Sequence, residues 1–289
     1  TAPLMVWNGE VTAAAIDKQL TDYKAQGVEA FFIHPRPGLI TEYLSDRWVE
    51  LVRHTVEKAR ELGMKAWLYD ENSYPSGFAG GHVPDQMPES WNQGQGLRPK
   101  PLDRAPAAGQ CIVLLQKSGA GYTDVTGKAQ AGEAGEFICY EVTFYDKRAW
   151  HGGFSYVDLI KPGVTEKFIE ITMGSYEKAA GKDFGGLVPG MFTDEPNIRA
   201  PDRNSMRWTP DLFEQFAKRW GYDLKPNLPS LFEDTGDYRR VRHNYHGLLL
   251  DLFIERWSKP WAAYAQNHNL SWTGHYWEHG WPSPGHGPD

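Results

Sequence analysis

Cysteine is scarce in this sequence, and its scarcity excludes two common kinds of architecture. The 289 residues contain two cysteines, Cys111 and Cys139. Two are too few for the disulfide framework of a small secreted domain or for a zinc cluster. They could form one disulfide with each other, or they could be two ordinary buried thiols. The sequence leaves both alternatives open.

Long hydrophobic runs and basic clusters are also missing. No stretch of about 18 apolar residues occurs, so no membrane-spanning helix is predicted. The formal net charge is -7, which argues against a nucleic acid or an anionic membrane as partner. The first ten residues do not resemble a signal peptide, although a removed leader would leave the same start. We expect a periplasmic or secreted protein rather than a cytoplasmic one, with the compartment otherwise undetermined.

Several motifs that indicate a particular cofactor or catalytic mechanism are absent. No GxGxxG follows the first predicted strand, and no GxxxxGK[ST] occurs, which disfavours nucleotide-binding folds. GxSxG and HExxH are missing as well, so neither a serine nucleophile elbow nor a zinc protease helix is predicted. A metal-dependent hydrolase is a distant alternative, because the histidines lack ligand spacing.

Aromatic residues, in contrast, are abundant. They make up 13% of the chain and include 12 Trp and 14 Tyr, more Trp than a core alone needs. Flat rings bind the apolar faces of pyranoses, while polar groups bind their hydroxyls. The composition therefore favours a carbohydrate as ligand.

Strand and helix patterns alternate along both ends of the chain. Apolar runs predict five buried strands, and helical periodicity with N-caps at Thr12 and Ser45 predicts the helices between them. The strands are expected at 4–8, 28–36, 64–72, 187–193 and 270–282, and the helices at 12–26, 45–62, 165–180, within 209–223, and at 238–267, with a kink at Pro260. The alternation predicts parallel strands with right-handed crossovers.

The predicted fold class is α/β, as a partial (β/α)8 TIM-type barrel of about five βα units. Residues 1–83 would hold the first three units, 84–155 a β-rich insertion, and 156–289 units four and five. Runs at 110–119 and 136–147 predict two strands within the insertion. Since a barrel needs eight strands to avoid open edges, a further part of the barrel or another chain would complete the fold. An open sheet is the alternative.

Acidic residues follow the predicted strands at the end where α/β proteins carry their sites. In "GMFTDEP", Asp194 and Glu195 end the fourth strand, and adjacent residues of a strand point to opposite faces, so only one would face a pocket. We expect it to be Glu195, as a general acid or nucleophile. Glycoside hydrolysis needs a second carboxyl. Glu278, with Asp70 and Glu71 as alternatives, is the candidate.

These motifs together resemble a known family. "LMVWNG", "LGMKAWLYDENSYPSGFAGG", "GLVPGMFTDEP" and "SWTGHYWEH" are similar to the catalytic barrel of the α-L-rhamnosidase-type enzymes of glycoside hydrolase family 106. The resemblance covers about 1–83 and 154–280. It implies a (β/α)8 barrel that continues beyond this chain's last residue, and an inverting hydrolysis with Glu195 as acid and Glu278 as base. It also suggests a calcium ion near the sugar hydroxyls, close to Glu195 and Glu278; no other cofactor is expected.

The predicted function is cleavage of a terminal sugar, such as an α-L-rhamnoside, from an oligo- or polysaccharide. The predicted substrate-binding residues are Trp7, Asn8, His34, Arg36, Asp70, Glu71, Tyr74, Asp194, His275 and Trp277. Two alternatives stay open. One is a carbohydrate-binding protein or degenerate barrel without turnover. The other is a retaining glycosidase of the β-galactosidase type, which also carries a Glu after its fourth strand.

Overall fold

The computed structural model describes residues 2–276, which form a mixed α/β fold with two five-stranded sheets. The strands are β1 (Leu4–Trp7), β2 (Ala30–Pro35), β3 (Lys65–Tyr69), β4 (Gly96–Arg104), β5 (Val113–Ser118), β6 (Gly121–Asp124), β7 (Ala134–Thr143), β8 (Gly190–Asp194), β9 (Met206–Arg207) and β10 (Ser271–His275). The α-helices are α1 (Ala13–Ala25), α2 (Asp46–Glu61), α3 (His82–Gln86), α4 (Val164–Ala180), α5 (Leu212–Trp220), α6 (Tyr238–Phe253) and α7 (Lys259–Asn267). Within the described part, no helix has the length and apolar character needed to cross a membrane.

The parallel sheet confirms the five predicted strands. Its order is β1-β2-β3-β8-β10, which is the order of these strands along the chain, and every pairing is parallel. An order without reversal distinguishes it from a doubly wound sheet, where the strand order reverses at the ligand site. Within residues 2–276 the sheet does not close, since β1 and β10 lie at opposite edges.

The predicted helix boundaries agree with the capping residues. The Thr12 side chain accepts a hydrogen bond from the Ala15 N–H, and the Ser45 hydroxyl accepts one from Trp48, so both act as N-caps. The long helical stretch is interrupted just before Pro260, where a kink was expected. A π-helical turn, Ile254–Ser258, joins α6 to α7, and Pro260 occupies the first turn of α7, where a missing N–H is tolerated.

The two faces of the parallel sheet differ in exposure. One face is buried beneath the helices; Trp272 of β10, for example, stacks on Trp261 of α7 with centroids 6.0 Å apart. The other face, here named the open face, carries exposed Leu4 and Val6, at 46% and 42%. Strand register and alternation assign to it Leu4, Val6, Phe32, His34, Trp67, Tyr69, Phe192, Asp194, Thr273 and His275.

The second sheet is antiparallel and larger than the sequence predicts. Its order is β6-β5-β7-β4-β9, and it takes β9 from outside the predicted insertion at 84–155. The long strand β4 was not predicted because it contains Pro99 and Pro101. These prolines are two residues apart, so both missing N–H groups lie on the same edge of β4. Beyond Leu97, the only described neighbour of β4 is β7, so the other edge needs no donors.

The two cysteines form a disulfide. Cys111 lies just before β5 and Cys139 within β7, and their Cα atoms are 5.4 Å apart. Cys139 is buried in a small hydrophobic cluster with Ala105, Leu114 and Phe137. The cross-link thus closes a segment of the antiparallel sheet that has its own small core.

A buried ion pair connects the antiparallel sheet to the segment that precedes α4. Arg207 of β9 and Asp158, in the segment before α4, have side chains only 2% and 3% exposed and are paired through Nη2 and Oδ1. Arg207 Nη1 donates to Gln95 Oε1 at 2.7 Å, and the Tyr245 hydroxyl of α6 donates to the Arg207 carbonyl at 2.8 Å. Burial raises the pKa of Asp158, and the neighbouring Arg207 opposes that shift. The pair therefore depends on both partners being present.

Replacing Asp158 by Asn should destabilise the protein strongly, because the Arg207 charge would stay buried without its counterion. We expect the free energy of unfolding to fall by about 3–5 kcal/mol. Urea denaturation followed by circular dichroism measures it. Lys100→Ala, which removes the exposed Lys100–Glu141 pair, is the control and should change the free energy by less than about 1 kcal/mol. Equal losses in both variants would contradict a structural role for the buried pair.

Candidate active site

The loop that follows β3 is built around the carboxylate of Glu71. Its Oε2 accepts the backbone N–H groups of Gly77 (3.3 Å), Phe78 (3.1 Å) and Ala79 (2.7 Å), and its Oε1 accepts those of Asn72 (2.9 Å) and Gly80 (2.6 Å). Such a cradle binds a carboxylate, since every donor carries a positive end. Glu71 therefore determines the shape of the loop.

The burial of Glu71 corrects its predicted role. The side chain is fully buried, and both oxygens are used by the backbone. Burial raises the pKa of Glu71, while the backbone N–H groups oppose that shift because they bind the ionised form. Contact between Glu71 and a substrate, or a role as second catalytic carboxyl, does not fit this environment.

Asp70 is a second fully buried carboxyl, and it connects the loop to β8. Its Oδ1 accepts the Ser76 hydroxyl at 2.5 Å, and its Oδ2 accepts the hydroxyl of Thr193. The Trp272 Nε1–H in turn donates to Thr193 Oγ1 at 2.9 Å. Burial raises the pKa of Asp70 to about 7, although the hydrogen bonds from the Ser76 and Thr193 hydroxyls lower it. Asp70 thus lies behind the strand ends and does not contact solvent.

Asp194 is the acidic residue that faces the open side of the sheet. Its Oδ2 accepts the Tyr69 hydroxyl at 2.5 Å, and its backbone N–H donates to Ser76 Oγ at 2.9 Å. The Ser76 N–H donates back to the Asp194 carbonyl at 2.7 Å. Burial and the adjacent Asp194 raise the pKa of Tyr69, so the phenol keeps its proton and remains a donor. The carboxylate is therefore held in one orientation.

Glu195 follows at a strained backbone position. Its φ is +46°, in the left-handed region that residues other than glycine rarely adopt, and its N–H donates to the His275 carbonyl at 2.8 Å. Strand β8 ends at Asp194, so strand alternation does not determine the direction of the Glu195 side chain. Strain of this kind occurs frequently at functional sites.

Two histidines flank Asp194 on the open face. His275 Nδ1 lies 3.6 Å from Asp194 Oδ1, and its ring contacts Phe192 with centroids 5.0 Å apart. The ring of His34 packs edge-on against Tyr69, with centroids 4.0 Å apart. His34 is 1% exposed, and neither of its ring nitrogens has a hydrogen-bond partner among residues 2–276. Burial, followed by the nearby Arg36, lowers the pKa of His34 to about 3, so it is neutral.

An aromatic and cationic rim lies beside these groups. The Arg36 guanidinium lies over the Tyr74 ring, 5.3 Å from its centroid, and Trp150 packs edge-on against Tyr74 at 5.2 Å. Asn8, after β1, is exposed. The rim is therefore composed of predicted residues together with Trp150, which was not predicted.

Apart from Asn8 and Glu71, which are described above, the predicted site residues divide into three groups. The strand ends bring together one set around β3 and β8, comprising His34, Arg36, Asp70, Tyr74, Asp194, Glu195 and His275. Trp7 belongs instead to the hydrophobic core at 2% exposure, because it shares the buried face with Met5, so its predicted contact with a sugar is incorrect. Glu278 and Trp277 lie outside the described residues.

Calcium was predicted near Glu195 and Glu278. Residues 2–276 contain no group of three or more His, Cys, Asp or Glu side chains arranged to hold a metal ion. The two acids that follow β3, Asp70 and Glu71, already accept protein donors. A calcium site at this position would need ligands from elsewhere, Glu278 included, and it stays a prediction.

Four residues with defined contacts at the site were not predicted: Tyr69, Ser76, Trp150 and Thr193. Tyr69 could have been found from strand alternation, since it occupies the open face two residues beyond Trp67 and next to His34. Ser76 lies in the "YPSG" turn, but nothing in the sequence shows that its hydroxyl bridges Asp70 and Asp194. Trp150 lies in the predicted insertion, where no pattern connected it to the strand ends.

Comparison with known proteins gives one informative likeness. No family profile and no curated protein matches the sequence. Among solved structures, a rhamnosidase from Novosphingobium sp. PP1Y is similar, with a TM-score of 0.60 and 14% identity over 96% of this chain and 46% of that one. At this identity the likeness shows a shared α/β fold. The chain spans less than half the length of that rhamnosidase.

Glu71→Gln should loosen the loop after β3. The amide nitrogen would face backbone N–H groups in place of an acceptor, leaving buried donors unpaired, so we expect a loss of about 2–4 kcal/mol in the free energy of unfolding. Urea denaturation and limited proteolysis within residues 72–81 measure the effect. Glu10→Gln, at an exposed position, should leave both unchanged. An unaltered stability in Glu71→Gln would contradict the anchoring role.

Asp70→Asn should change how stability depends on pH. The pKa of Asp70 rises from the ordinary 3.8 to about 7 on folding, so its contribution is complete below the unfolded value and is lost as pH rises through 7. Wild-type stability relative to the variant should therefore decline by about 2–3 kcal/mol from pH 5 to pH 8. Urea denaturation at both pH values measures this. The exposed Asp103→Asn should retain the wild-type dependence, and a constant difference for Asp70→Asn would contradict the assignment.

Proposed function

We propose that this protein is a glycoside hydrolase that removes a terminal sugar, an α-L-rhamnoside in the first instance, from an oligo- or polysaccharide. The observation that carries the proposal is the convergence of Asp194, Glu195, His275 and Tyr69 at the carboxyl end of a parallel sheet. Glycoside hydrolysis uses a pair of carboxyl groups, and nearby aromatic rings can pack on the apolar faces of a sugar. The fold likeness to a rhamnosidase supports the same chemistry.

Glu195 is proposed as the general acid and Glu278 as the base. Glu195 would transfer its proton to the glycosidic oxygen as the bond to the anomeric carbon breaks. Glu278 would take a proton from the water that attacks this carbon from the opposite face, so that the product forms with inversion. The strained backbone at Glu195 supports the first role, because such positions persist where surrounding structure requires them.

Asp194 is proposed to bind sugar hydroxyls instead of acting as the acid. Tyr69 donates to one of its oxygens, and His275 lies beside the other. A carboxylate that is oriented in this way by Tyr69 can accept hydrogen bonds from sugar hydroxyls. His34, neutral and buried with two unpartnered nitrogens, would accept or donate a further hydrogen bond to the ring substituents.

A closed (β/α)8 barrel is proposed for the complete fold, with residues 1–83 and 156–289 as its first five units. The supporting features are the sequential strand order, the edges of β1 and β10 that pair with no further strand of residues 2–276, and an open face that exposes Leu4 and Val6. Further βα units of the same protein, or of another chain, would pair with these edges and cover this face.

A periplasmic or secreted location is proposed on the strength of the Cys111–Cys139 disulfide. Disulfides form and persist in oxidising compartments and are rare in the cytosol. The bond joins the start of β5 to β7, far in sequence from the acidic residues, so it serves structure and not catalysis.

Glu195→Gln should abolish hydrolysis in a way that depends on the leaving group. A general acid contributes about 10²–10⁴-fold, but nitrophenolate departs with little need of a proton. We therefore expect turnover of methyl α-L-rhamnoside to fall far more than turnover of 4-nitrophenyl α-L-rhamnoside, while affinity for L-rhamnose persists. Steady-state kinetics of both substrates and calorimetric titration with L-rhamnose measure these effects.

The exposed Glu166→Gln is the control and should match the wild type on both substrates. Equal losses of turnover on the two substrates in Glu195→Gln would exclude its role as acid. Proton NMR of the first-released sugar separates inversion from retention. Sugar binding without hydrolysis of any glycoside by the wild type, with or without chelator, would identify a non-catalytic carbohydrate-binding protein.

A further inference from the structure

Trp150 is an exposed tryptophan held in a fixed position. Its side chain is 39% exposed, and its Nε1–H donates to the carbonyl of Tyr74. The Trp150 carbonyl accepts the Ser73 hydroxyl at 3.3 Å. An exposed tryptophan with these tethers loses little conformational freedom on binding a ligand, so its ring is a prepared contact surface.

The neighbours of Trp150 extend this surface. Its ring meets Tyr74 edge-on, at a centroid distance of 5.2 Å and an interplanar angle of 78°. Arg36 lies over Tyr74 at 5.3 Å and supplies guanidinium donors beside the two rings. We name Arg36, Tyr74 and Trp150 the rim platform. It combines apolar ring faces with a planar set of N–H donors, which is the combination that binds pyranoses.

Ser73 links the rim platform to Tyr69, which in turn binds Asp194. Ser73 is bonded to Trp150 through its hydroxyl, and its carbonyl oxygen lies 3.5 Å from the hydroxyl of Tyr69. That hydroxyl binds Asp194. The ring surface and the carboxylate thus share one short, hydrogen-bonded segment of the loop after β3, and this loop is itself held by Glu71.

The sequence origin of Trp150 distinguishes it from the other site residues. Asp194, His275 and Tyr69 belong to strands of the parallel sheet, whereas Trp150 lies between the antiparallel sheet and α4. The segment that carries Trp150 packs onto the loop by the contacts of Ser73 and Tyr74. The antiparallel part of the molecule therefore contributes a contact surface to the mouth of the site.

We propose that the rim platform is a second sugar subsite, which binds a pyranose ring adjacent to the residue that is cleaved. It rests on the proposed function, since it assumes a sugar chain at this end of the sheet. The apolar face of the pyranose packs on Trp150, and Arg36 donates to its hydroxyl oxygens. The subsite thus selects an oligo- or polysaccharide over a single sugar.

The test is native electrophoresis in gels that contain rhamnogalacturonan, which detects binding without requiring turnover. The wild type should be retarded relative to a gel without polysaccharide, and Trp150→Ala should lose about tenfold in affinity. Trp150→Phe, which keeps an aromatic ring, should recover part of the retardation. Phe144→Ala removes a comparably exposed aromatic, at 48%, outside the rim platform, and should match the wild type. Circular dichroism establishes that each variant is folded.

Equal retardation of the wild type and a folded Trp150→Ala would overturn the proposal, as would the absence of retardation in the wild type. Retardation that depends on Trp150, in a protein that hydrolyses no rhamnoside, would support the subsite and reject the proposed hydrolase. If the wild type and Trp150→Ala hydrolyse a rhamnoside and bind the polysaccharide equally well, the hydrolase is supported and the subsite is rejected. The two proposals therefore fail separately.

Discussion

The end of β3 buries two adjacent carboxyl groups, and the arrangement of the site depends on how each is solvated. A buried carboxylate without donors costs several kcal/mol, so the fold must surround each one with hydrogen bonds. Glu71 obtains them from five backbone N–H groups of the following loop, and Asp70 from the hydroxyls of Ser76 and Thr193. The first arrangement gives the loop its shape, and the second binds that loop to β8. Asp70 and Glu71, which were expected to contact a sugar, thus hold the loop and β8 in place.

The buried hydrogen bonds of Asp70 and of the loop also determine the position of Asp194. Ser76 donates to Asp70 and exchanges two hydrogen bonds with the backbone of Asp194, so any movement of the loop would displace the end of β8. Tyr69 then orients the Asp194 carboxylate directly. A site with this construction resists small displacements of its carboxylates, which is what acid–base chemistry on a bound sugar requires.

Much of this architecture was predictable from sequence because its signals are local. Apolar runs of strand length and the caps at Thr12 and Ser45 predicted the parallel sheet and its helices. The strand β4 was missed because Pro99 and Pro101 disfavour a strand unless one edge is free, which only the assembled sheet reveals. The burial of Asp70 and Glu71 was missed for a similar reason, since their donors come from a loop whose conformation they themselves stabilise. For Trp7, alternation was visible, but apolar residues on both faces of β1 concealed which one the helices cover.

On the open face, each of three strands carries an aromatic residue and then, two positions later, a residue with a hydrogen-bonding group. Phe32 is followed two residues later by His34, Trp67 by Tyr69, and Phe192 by Asp194. Rings pack together at the lower level, with Phe32 5.4 Å from Trp67 and 5.6 Å from Phe192, while the upper level carries hydrogen-bonding groups. The lower rings are half-buried and form an aromatic layer beneath the polar groups of the upper level. Because strand alternation returns to the same face every second residue, one sheet supplies both an aromatic lower level and a polar upper level within a single step of each strand.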